Sequence, residues 1–200
     1  MLSLVTFVAG LQRPALRLGP AARTFAVRMS APNDQGVEYS VVKSDKEWKA
    51  ELGDAEFYVL REKGTERPGT SEFNKFYPKS GHFVCGGFGT PLYSAAAKFD
   101  SGCGWPAFDK IVDGAVVTQT DSTLGMTRVE IMCAGCGGHL GHVFEGERFT
   151  ETNERHCVNG LSVKYVDEPL PDGKKERKVL PERKPATASS LLAELLDKKD

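Results

Sequence analysis

The residues best suited to chemistry in this sequence are its five cysteines. An odd number of cysteines is unusual for a secreted disulfide framework and favours thiol chemistry or metal binding. Cys157 stands in the segment RHCVN, and in an extended strand its side chain would share one face with those of Arg155 and Asn159. A guanidinium favours the nucleophilic thiolate, and an amide can hold a substrate oxygen or a water. The segment therefore predicts a reactive thiol, although a polar strand surface with an inert cysteine would show the same pattern.

A second candidate thiol, Cys103, lies between two glycines in the segment DSGCGWP. The glycines and the adjacent Trp105 predict an accessible, functional thiol on a flexible loop, against the alternative of a small buried hydrophobe. His139 and His142 add two imidazoles, the side chains that most often transfer protons near neutral pH. Paired with a thiol from elsewhere in the chain, they are candidate proton donors.

The three remaining cysteines suggest a metal site that has lost one ligand. Cys133 and Cys136 form a C-x-x-C turn, and Cys85 opens a second turn in which Phe88 stands where another cysteine would complete two separated pairs. The cysteines and histidines of residues 133–142 lie too close along the chain to wrap a tetrahedral ion by themselves. We therefore interpret Cys85, Cys133 and Cys136 as a lost or weakened structural zinc site with Phe88 as an apolar plug. The alternative is a bound zinc whose fourth ligand is water or another side chain.

The motifs DSGCGWP, GGHLGHVF and RHCVN, in this order, resemble those of one known family, the type B peptide-methionine (R)-S-oxide reductases. The resemblance covers about residues 44–166, and chance agreement of these motifs in this order is negligible. It implies two antiparallel β-sheets with N-terminal helices. The stretches that carry it are residues 64–70, 89–93, 98–108, 138–144 and 154–159.

The resemblance also implies roles for the candidate residues. Cys157 would attack the sulfur of a methionine sulfoxide and become a sulfenic acid. Cys103 would condense with that sulfenic acid to a disulfide, which thioredoxin would reduce by thiol–disulfide exchange. His142, helped by His139, would donate the proton to the sulfoxide oxygen. Asn159 and Arg155 would orient water and support the thiolate. Trp105 would form the apolar pocket for the substrate methyl group.

Three positions depart from the family pattern. Phe88 replaces a cysteine of the family's zinc pair, so a structural zinc would have only three thiolates. The chemistry itself is expected to need no cofactor. Glu145-Gly146 stands where many members have Pro-Asp-Gly, and Glu145 is the candidate substitute for the missing acid. Gly160 follows Asn159 where serine is usual, and a glycine there would loosen the strand.

The elements that must position these residues are short. Residues 44–47, Ser-Asp-Lys-Glu, form a capping box that opens a helix, and a second helix is predicted over residues 56–63 with Gly64 ending it. Short apolar stretches divided by glycine and proline then predict a mainly β fold, two small antiparallel sheets in a sandwich or open barrel. The predicted strands are residues 82–85, 115–118, 128–133 and 155–166.

Composition divides the chain into three parts. Residues 1–33 contain four arginines and no acid, which is typical of a transit peptide, and their few serines favour mitochondria over plastids. Residues 34–166 form the predicted catalytic domain. Residues 167–200 mix many charges with prolines and predict a mobile tail, with a possible short helix at its end.

The sequence thus predicts an oxidoreductase that repairs methionine-R-sulfoxide, free or in oxidised proteins, with thioredoxin as its reductant. A net charge of −1 gives no basic field for nucleic acid, and no apolar run is long enough to span a membrane. The main alternative is a non-catalytic, zinc-ribbon-like binding module. Such a module would need neither Cys157 nor Trp105. A thioredoxin-like oxidoreductase that uses Cys133 and Cys136 lacks the expected βαβ context.

Overall fold

Short antiparallel strands preceded by two short helices make up the fold of residues 38–121 and 128–180, which are the residues that the computed structural model describes. The prediction of a mainly β fold with N-terminal helices is confirmed, and none of the sheets formed by these residues closes into a barrel. The elements are α1 (Asp45–Glu51), α2 (Asp54–Leu60), β1 (His82–Cys85), β2 (Pro91–Ser94), β3 (Lys98–Phe99), β4 (Ala107–Phe108), β5 (Ile111–Val112), β6 (Val116–Asp121), β7 (Arg128–Cys133), β8 (His139–Glu145), β9 (Glu154–Val158), β10 (Val163–Val166) and β11 (Glu176–Arg177).

The largest sheet has six strands in the order β3-β4-β9-β8-β7-β6. A three-stranded sheet has the order β10-β1-β2, and β11 pairs with β5 in a two-stranded ribbon. Strand β9 lies between β4 and β8, so that Cys157 is directly opposite Ala107 on one side and His142 on the other. The register of the six-stranded sheet therefore brings three distant parts of the sequence together.

The two helices begin and end for local reasons. Ser44 caps α1 with the predicted capping box, since its hydroxyl accepts from the Glu47 amide while the Glu47 carboxylate accepts from the Ser44 amide. Helix α2 ends earlier than predicted. The left-handed residue beyond its end is Lys63, with φ of 58°, and not Gly64, whose amide donates back to the carbonyl of Tyr58.

The long strand predicted over residues 155–166 is wrong as a single element. It is divided into β9 and β10 by a 3₁₀ turn over Gly160–Ser162, and its two halves belong to different sheets. The turn packs closely against the loop that follows α2. A Cβ atom on Gly160 would lie only 1.8 Å from the hydroxyl oxygen of Ser71 in that loop. Glycine at this position therefore permits a close approach of two segments, which the expectation of a loosened strand did not include.

An aromatic stack forms the centre of the core between the sheets. The rings of Tyr93 and Phe108 are nearly parallel, with centroids 4.0 Å apart, and Phe83 packs edge-on against Phe108 at 5.1 Å. All three side chains are fully buried. Since β4 carries Phe108 and leads out of the loop that holds Cys103, this packing fixes the base of that loop.

The expectation of a mobile tail fails for residues 167–180. Strand β11 pairs with β5, and Leu170, Val179 and Leu180 pack against the core. The amides of Val179 and Leu180 both donate to the buried carboxylate of Glu154 at 2.8 Å. These bonds give the charged segment a fixed partner that composition alone did not reveal. The predicted transit peptide and the terminal helix lie outside the described residues.

No helix among the described residues is long and apolar enough to cross a membrane.

Removing the Glu154 carboxylate is expected to destabilise the fold strongly. Glu154 is 3% exposed, and besides the two tail amides it accepts a hydrogen bond from His156 Nε2 at 2.9 Å. Glu154→Ala removes the acceptor of the buried His156 and of two partly buried amides, so the free energy of unfolding should fall by about 3–5 kcal/mol. Glu151→Ala, an exposed position in the preceding turn, is the matched control and should change it by less than about 0.5 kcal/mol. Urea unfolding followed by circular dichroism measures both, and an equal effect of the two variants would contradict the role of the tail contacts.

The same contacts predict the pH dependence of this stabilisation. Burial raises the pKa of Glu154, but hydrogen bonds from His156, Val179 and Leu180 outweigh it, and the pKa lies below the ordinary 4.5 of a glutamate. A carboxylate with a lowered pKa in the folded state stabilises above its unfolded pKa and loses this effect as the pH falls through the folded pKa. The difference in stability between the wild type and Glu154→Ala should therefore shrink in acid below pH 4.5.

Candidate active site

The two thiols predicted to react lie next to each other. The Sγ atoms of Cys103 and Cys157 are 3.8 Å apart, and both side chains are partly exposed. Cys157 comes from β9, while Cys103 comes from the loop that leads into β4, the neighbouring strand. A disulfide needs sulfurs about 2 Å apart, so a small movement of the Cys103 loop is enough to form the bond.

The two thiols share one negative charge. The pKa of Cys103 is lowered to about 5, first because the Cys157 thiol donates a hydrogen bond to it. The pKa of Cys157 is raised by the same hydrogen bond and by burial, while Arg155 acts in the opposite direction and is outweighed. In the reduced pair, the anion therefore favours Cys103, and Cys157 gains thiolate character only when this hydrogen bond is broken.

A cavity of about 130 Å³ opens beside Cys157. Four of the residues singled out from the sequence line it: Cys157, Asn159, Trp105 and His142. Its walls are mainly apolar with a few polar groups, as is usual for a small-ligand site. The other lining residues, which the sequence did not single out, are Thr65, Arg128, Gly141, Phe144 and Val158.

The described residues that line this cavity do not include Arg155 or His139. The Arg155 guanidinium binds the carboxylate of Glu147, with Nη2 and Oε1 2.7 Å apart, and lies 4.4 Å from the centre of the Phe144 ring. Its positive charge and a hydrogen bond to the thiol both act to lower the pKa of Cys157. Glu145 is also absent from the lining, so its place in the site rests on the sequence alone.

Glu66 connects the tryptophan and the asparagine of the site. Its carbonyl accepts from the indole Nε1 of Trp105 at 3.1 Å, and its amide donates to Asn159 Oδ1 at 3.1 Å. Its carboxylate accepts from the amides of Gly160 and Leu161. One loop residue thus sets the orientation of two cavity side chains. Sequence reasoning missed it, because a single acid in a Gly- and Pro-rich loop carries no periodic signal.

The two histidines lie on one strand, β8. A strand alternates its faces, so residues three apart would point in opposite directions. The pairing of β7 with β8 shifts between Ile131 and Met132, which is a β-bulge, and the rings of His139 and His142 consequently lie together with centroids 5.6 Å apart.

A close approach of strands accompanies this bulge. A Cβ atom on Gly141 would lie 2.0 Å from the carbonyl oxygen of Cys157. Glycine at this position therefore allows β8 and β9 to come close enough for His142 to reach the cavity beside Cys157.

Each histidine has a carboxylate partner. His142 Nε2 lies 3.0 Å from Asp121 Oδ2, and the same oxygen accepts from Arg128 at 2.7 Å. His139 Nδ1 lies 2.7 Å from Glu130 Oε1, and Lys63 binds the other oxygen of Glu130. Burial lowers the pKa of His142 against the opposing effect of Asp121. The residue is therefore mostly neutral at pH 7, and a bound group that develops negative charge would favour its protonation.

A second group of thiols lies apart from the cavity lining. Cys85, Cys133 and Cys136 are buried, and their sulfurs all lie within 4.8 Å of one another. No ring separates them, because Phe88 is 43% exposed, and its ring instead covers Gly135. The interpretation of Phe88 as a plug among the thiols is therefore wrong. Cys133 and Cys136 also have Cys85 as a third neighbour, which does not fit a simple two-cysteine redox pair.

The comparisons with known proteins agree on one family. The model of the SelR domain matches residues 52–167. "Peptide methionine sulfoxide reductase B2, chloroplastic" of Arabidopsis thaliana is 52% identical over 157 residues, which cover 78% of this chain and 73% of that protein. "Peptide methionine sulfoxide reductase B5" of Oryza sativa subsp. japonica is 58% identical over 125 residues, 62% of this chain and 90% of that protein. "Peptide methionine sulfoxide reductase B3, chloroplastic" of the same rice is 53% identical over 128 residues, 64% of this chain and 55% of that protein.

Proposed function

The chain belongs to the SelR-domain family of type B methionine sulfoxide reductases, and on this premise we propose that it reduces the R epimer of methionine sulfoxide with Cys157 as its nucleophile. The single observation that carries the assignment of the nucleophile is its position. Cys157 borders the cavity together with Trp105, His142 and Asn159, and its sulfur is 3.8 Å from that of Cys103. The family makes the protein a reductase of methionine sulfoxide, and the proposal concerns the epimer, the residues and the reductant.

In the first step, the sulfur of Cys157 attacks the sulfoxide sulfur. The oxygen passes to Cys157, which becomes a sulfenic acid, and methionine leaves as the reduced thioether. A substrate that displaces Cys103 from its hydrogen bond with Cys157 would remove the interaction that raises the pKa of Cys157. Arg155 then favours the thiolate, so binding of the substrate would itself activate the nucleophile.

The proton for the sulfoxide oxygen is assigned to His142. It lines the cavity opposite Cys157, and the carboxylate of Asp121 favours its imidazolium form. The His139 ring is held in place by Glu130 and packs against the His142 ring, so it limits the movement of His142. The side-chain amide of Asn159, held by the backbone of Glu66 and the carbonyl of Leu140, would orient water or the substrate oxygen.

Trp105 is assigned to the substrate methyl group. Its indole is fixed by a hydrogen bond from Nε1 to the Glu66 carbonyl, so the apolar ring presents a fixed surface to the cavity. A rigid apolar wall together with separate hydrogen-bonding groups would distinguish the methyl group of a sulfoxide from its oxygen, which is the physical basis for discriminating the two epimers.

In the second step, the Cys103 thiol condenses with the Cys157 sulfenic acid. The S–O bond breaks, water leaves, and a disulfide forms between the two sulfurs. A dithiol reductant then reduces the disulfide by two exchange steps and is itself oxidised to a disulfide. We assign thioredoxin as the reductant because its low-potential dithiol suits this exchange.

The family's structural metal bears on stability and not on these steps. Cys85, Cys133 and Cys136 are the residues that would hold it, and three buried thiols in mutual contact are a donor set that suits a thiophilic cation. Such an ion would crosslink the turn after β1 to the turn after β7.

We further propose a plastid as the compartment of this enzyme. Two of the relatives carry "chloroplastic" in their names, which supports a plastid rather than the expected mitochondrion. The arginine-rich residues 1–33 would then serve as the transit peptide.

The function is tested with the two separated epimers of methionine sulfoxide, each offered both free and within a short peptide. With dithiothreitol as the reductant, the R epimer should be converted to methionine while the S epimer remains, as measured by chromatography of the products. The S epimer serves as the matched control, because it differs only at the sulfur. Equal conversion of both epimers, or conversion of the S epimer alone, would refute the proposed specificity.

A further inference from the structure

The turns after β1 and β7 have the same backbone hydrogen bonds. In the first turn, the amide of Cys85 donates to the carbonyl of Thr90, and that of Gly89 donates to Cys85. In the second turn, the corresponding bonds join Cys133 with Gly138 and Gly137 with Cys133. The donor–acceptor distances in the two turns lie between 2.7 and 2.9 Å.

The conformation of the glycines extends this equivalence. Gly89 and Gly137 both adopt the left-handed conformation, with φ of 81° and 69°. The two turns therefore correspond residue by residue, and Phe88 takes the position that Cys136 has in the second turn. The backbone for a fourth ligand is present, while the residue there has no donor atom.

The three thiols have the spacing expected for ligands of one ion. The sulfurs of Cys85 and Cys136 are 3.7 Å apart, and Cys133 completes a triangle within 4.8 Å. A tetrahedral ion with metal–sulfur bonds of about 2.3 Å would separate two of its sulfurs by about 3.8 Å. The observed spacing therefore suits a common ligand sphere.

The two turns that carry the thiols border open space at the surface. Phe88, Thr90 and Gly135 line an open cavity of about 530 Å³ at the surface. The hydroxyl of Thr90 lies 3.3 Å from the sulfur of Cys133, where it acts as a hydrogen-bond partner of that thiol. An alcohol is not among the usual zinc ligands, so Thr90 is not expected to complete the ligand set, and the open cavity that Thr90 lines is the nearest source of a ligand from solvent.

We propose that Cys85, Cys133 and Cys136 bind one thiophilic divalent cation of the zinc class through three thiolates, and that a small exchangeable ligand from solvent takes the fourth position, because Phe88 stands where the fourth donor would be. The site differs from a closed four-thiolate centre in being open to added ligands. The proposal is independent of the reductase reaction.

Cobalt(II) is the probe for this site. The full chain is used with Cys103 and Cys157 replaced by serine, so that the three cysteines of the cluster are the only thiols. One equivalent of cobalt should give the visible spectrum of a tetrahedral thiolate complex, and added imidazole should shift that spectrum. In the same background, Phe88→Cys should raise the sulfur-to-cobalt charge-transfer absorbance by about one third, from three thiolates to four, and should remove the effect of imidazole.

Two further variants separate the alternatives. Phe88→Leu offers no ligand and should keep the spectrum and the imidazole response of the parent, whereas Cys136→Ser should lose the tetrahedral spectrum. Absence of cobalt binding by the parent protein, which keeps Phe88, would overturn the proposal. A spectrum that ignores imidazole but changes with Thr90→Val would also overturn it, because the chain itself would then supply the fourth ligand. The imidazole titration needs no variant at position 88, so the proposal stays testable if Phe88→Cys fails to fold.

Discussion

Cys157→Ser is expected to abolish the reduction of methionine-R-sulfoxide, with a loss on the order of 10⁴-fold or more in kcat/KM. A serine hydroxyl stays protonated near neutral pH and has no sulfur atom that could take up the oxygen to form a sulfenic acid. Neither the first step nor the later disulfide can therefore occur. Conversion of the purified R epimer in the presence of dithiothreitol, followed by chromatography of methionine, measures the loss.

A matched serine variant makes this result specific. Cys136→Ser removes a thiol from the second cluster, which lies outside the described lining of the cavity, and it should lower stability more than chemistry. Far-ultraviolet circular dichroism of both variants establishes that each is folded at the assay temperature. Substantial activity of a folded Cys157→Ser protein would assign the nucleophile to another cysteine, with Cys103 as the neighbouring candidate.

Cys103→Ser is expected to retain a single turnover and to lose recycling by thioredoxin almost completely. Cys157 can still take the oxygen from the substrate, but its sulfenic acid no longer has a thiol 3.8 Å away with which to condense. Rapid mixing with excess R epimer should yield about one methionine per chain, and steady-state turnover with thioredoxin should be close to zero. Trapping the sulfenic acid with a dimedone-type reagent, followed by mass spectrometry, should label Cys157. Sustained turnover with thioredoxin would mean that another thiol resolves the intermediate.

The same variant changes the protonation of the nucleophile. The hydrogen bond with Cys103 is the first cause of the raised pKa of Cys157, so its removal should move the pH midpoint of Cys157 alkylation downwards. Combining it with Arg155→Met should move that midpoint up again, because Arg155 lowers the pKa of Cys157. Iodoacetamide reactivity of Cys157 across pH provides this measurement. An unchanged pH midpoint in Cys103→Ser would mean that the hydrogen bond with Cys103 does not control the protonation of Cys157.

The sequence predicted what depends on local pattern. Alternation along residues 155–159 placed Arg155 and Cys157 on one face of a strand, and the structure has both on β9 with alternating burial. The capping box at Ser44 and strands β1 and β7 were equally visible, because each depends on a few neighbouring residues. Motifs were sufficient to identify the family for the same reason.

Features that depend on distant contacts were not predictable from the sequence alone. The bulge between β7 and β8, which brings His139 and His142 together, belongs to a pair of strands. The part of Glu66 in holding Trp105 and Asn159 likewise needs contacts across more than thirty residues. Residues 167–180 look mobile by composition, and the partners that hold them, strand β5 and the buried carboxylate of Glu154, lie far away in the sequence.

The close approach at Gly141 has a consequence for redesign of this enzyme. Any side chain at that position must push apart the backbones that hold the acid and the nucleophile, since even a methyl carbon would overlap the carbonyl of Cys157. A library that leaves every reacting group intact but diversifies this one small residue would therefore yield folded, inactive proteins. The absence of a Cβ atom at Gly141 therefore helps to set the distance between the strand of the acid and the strand of the nucleophile.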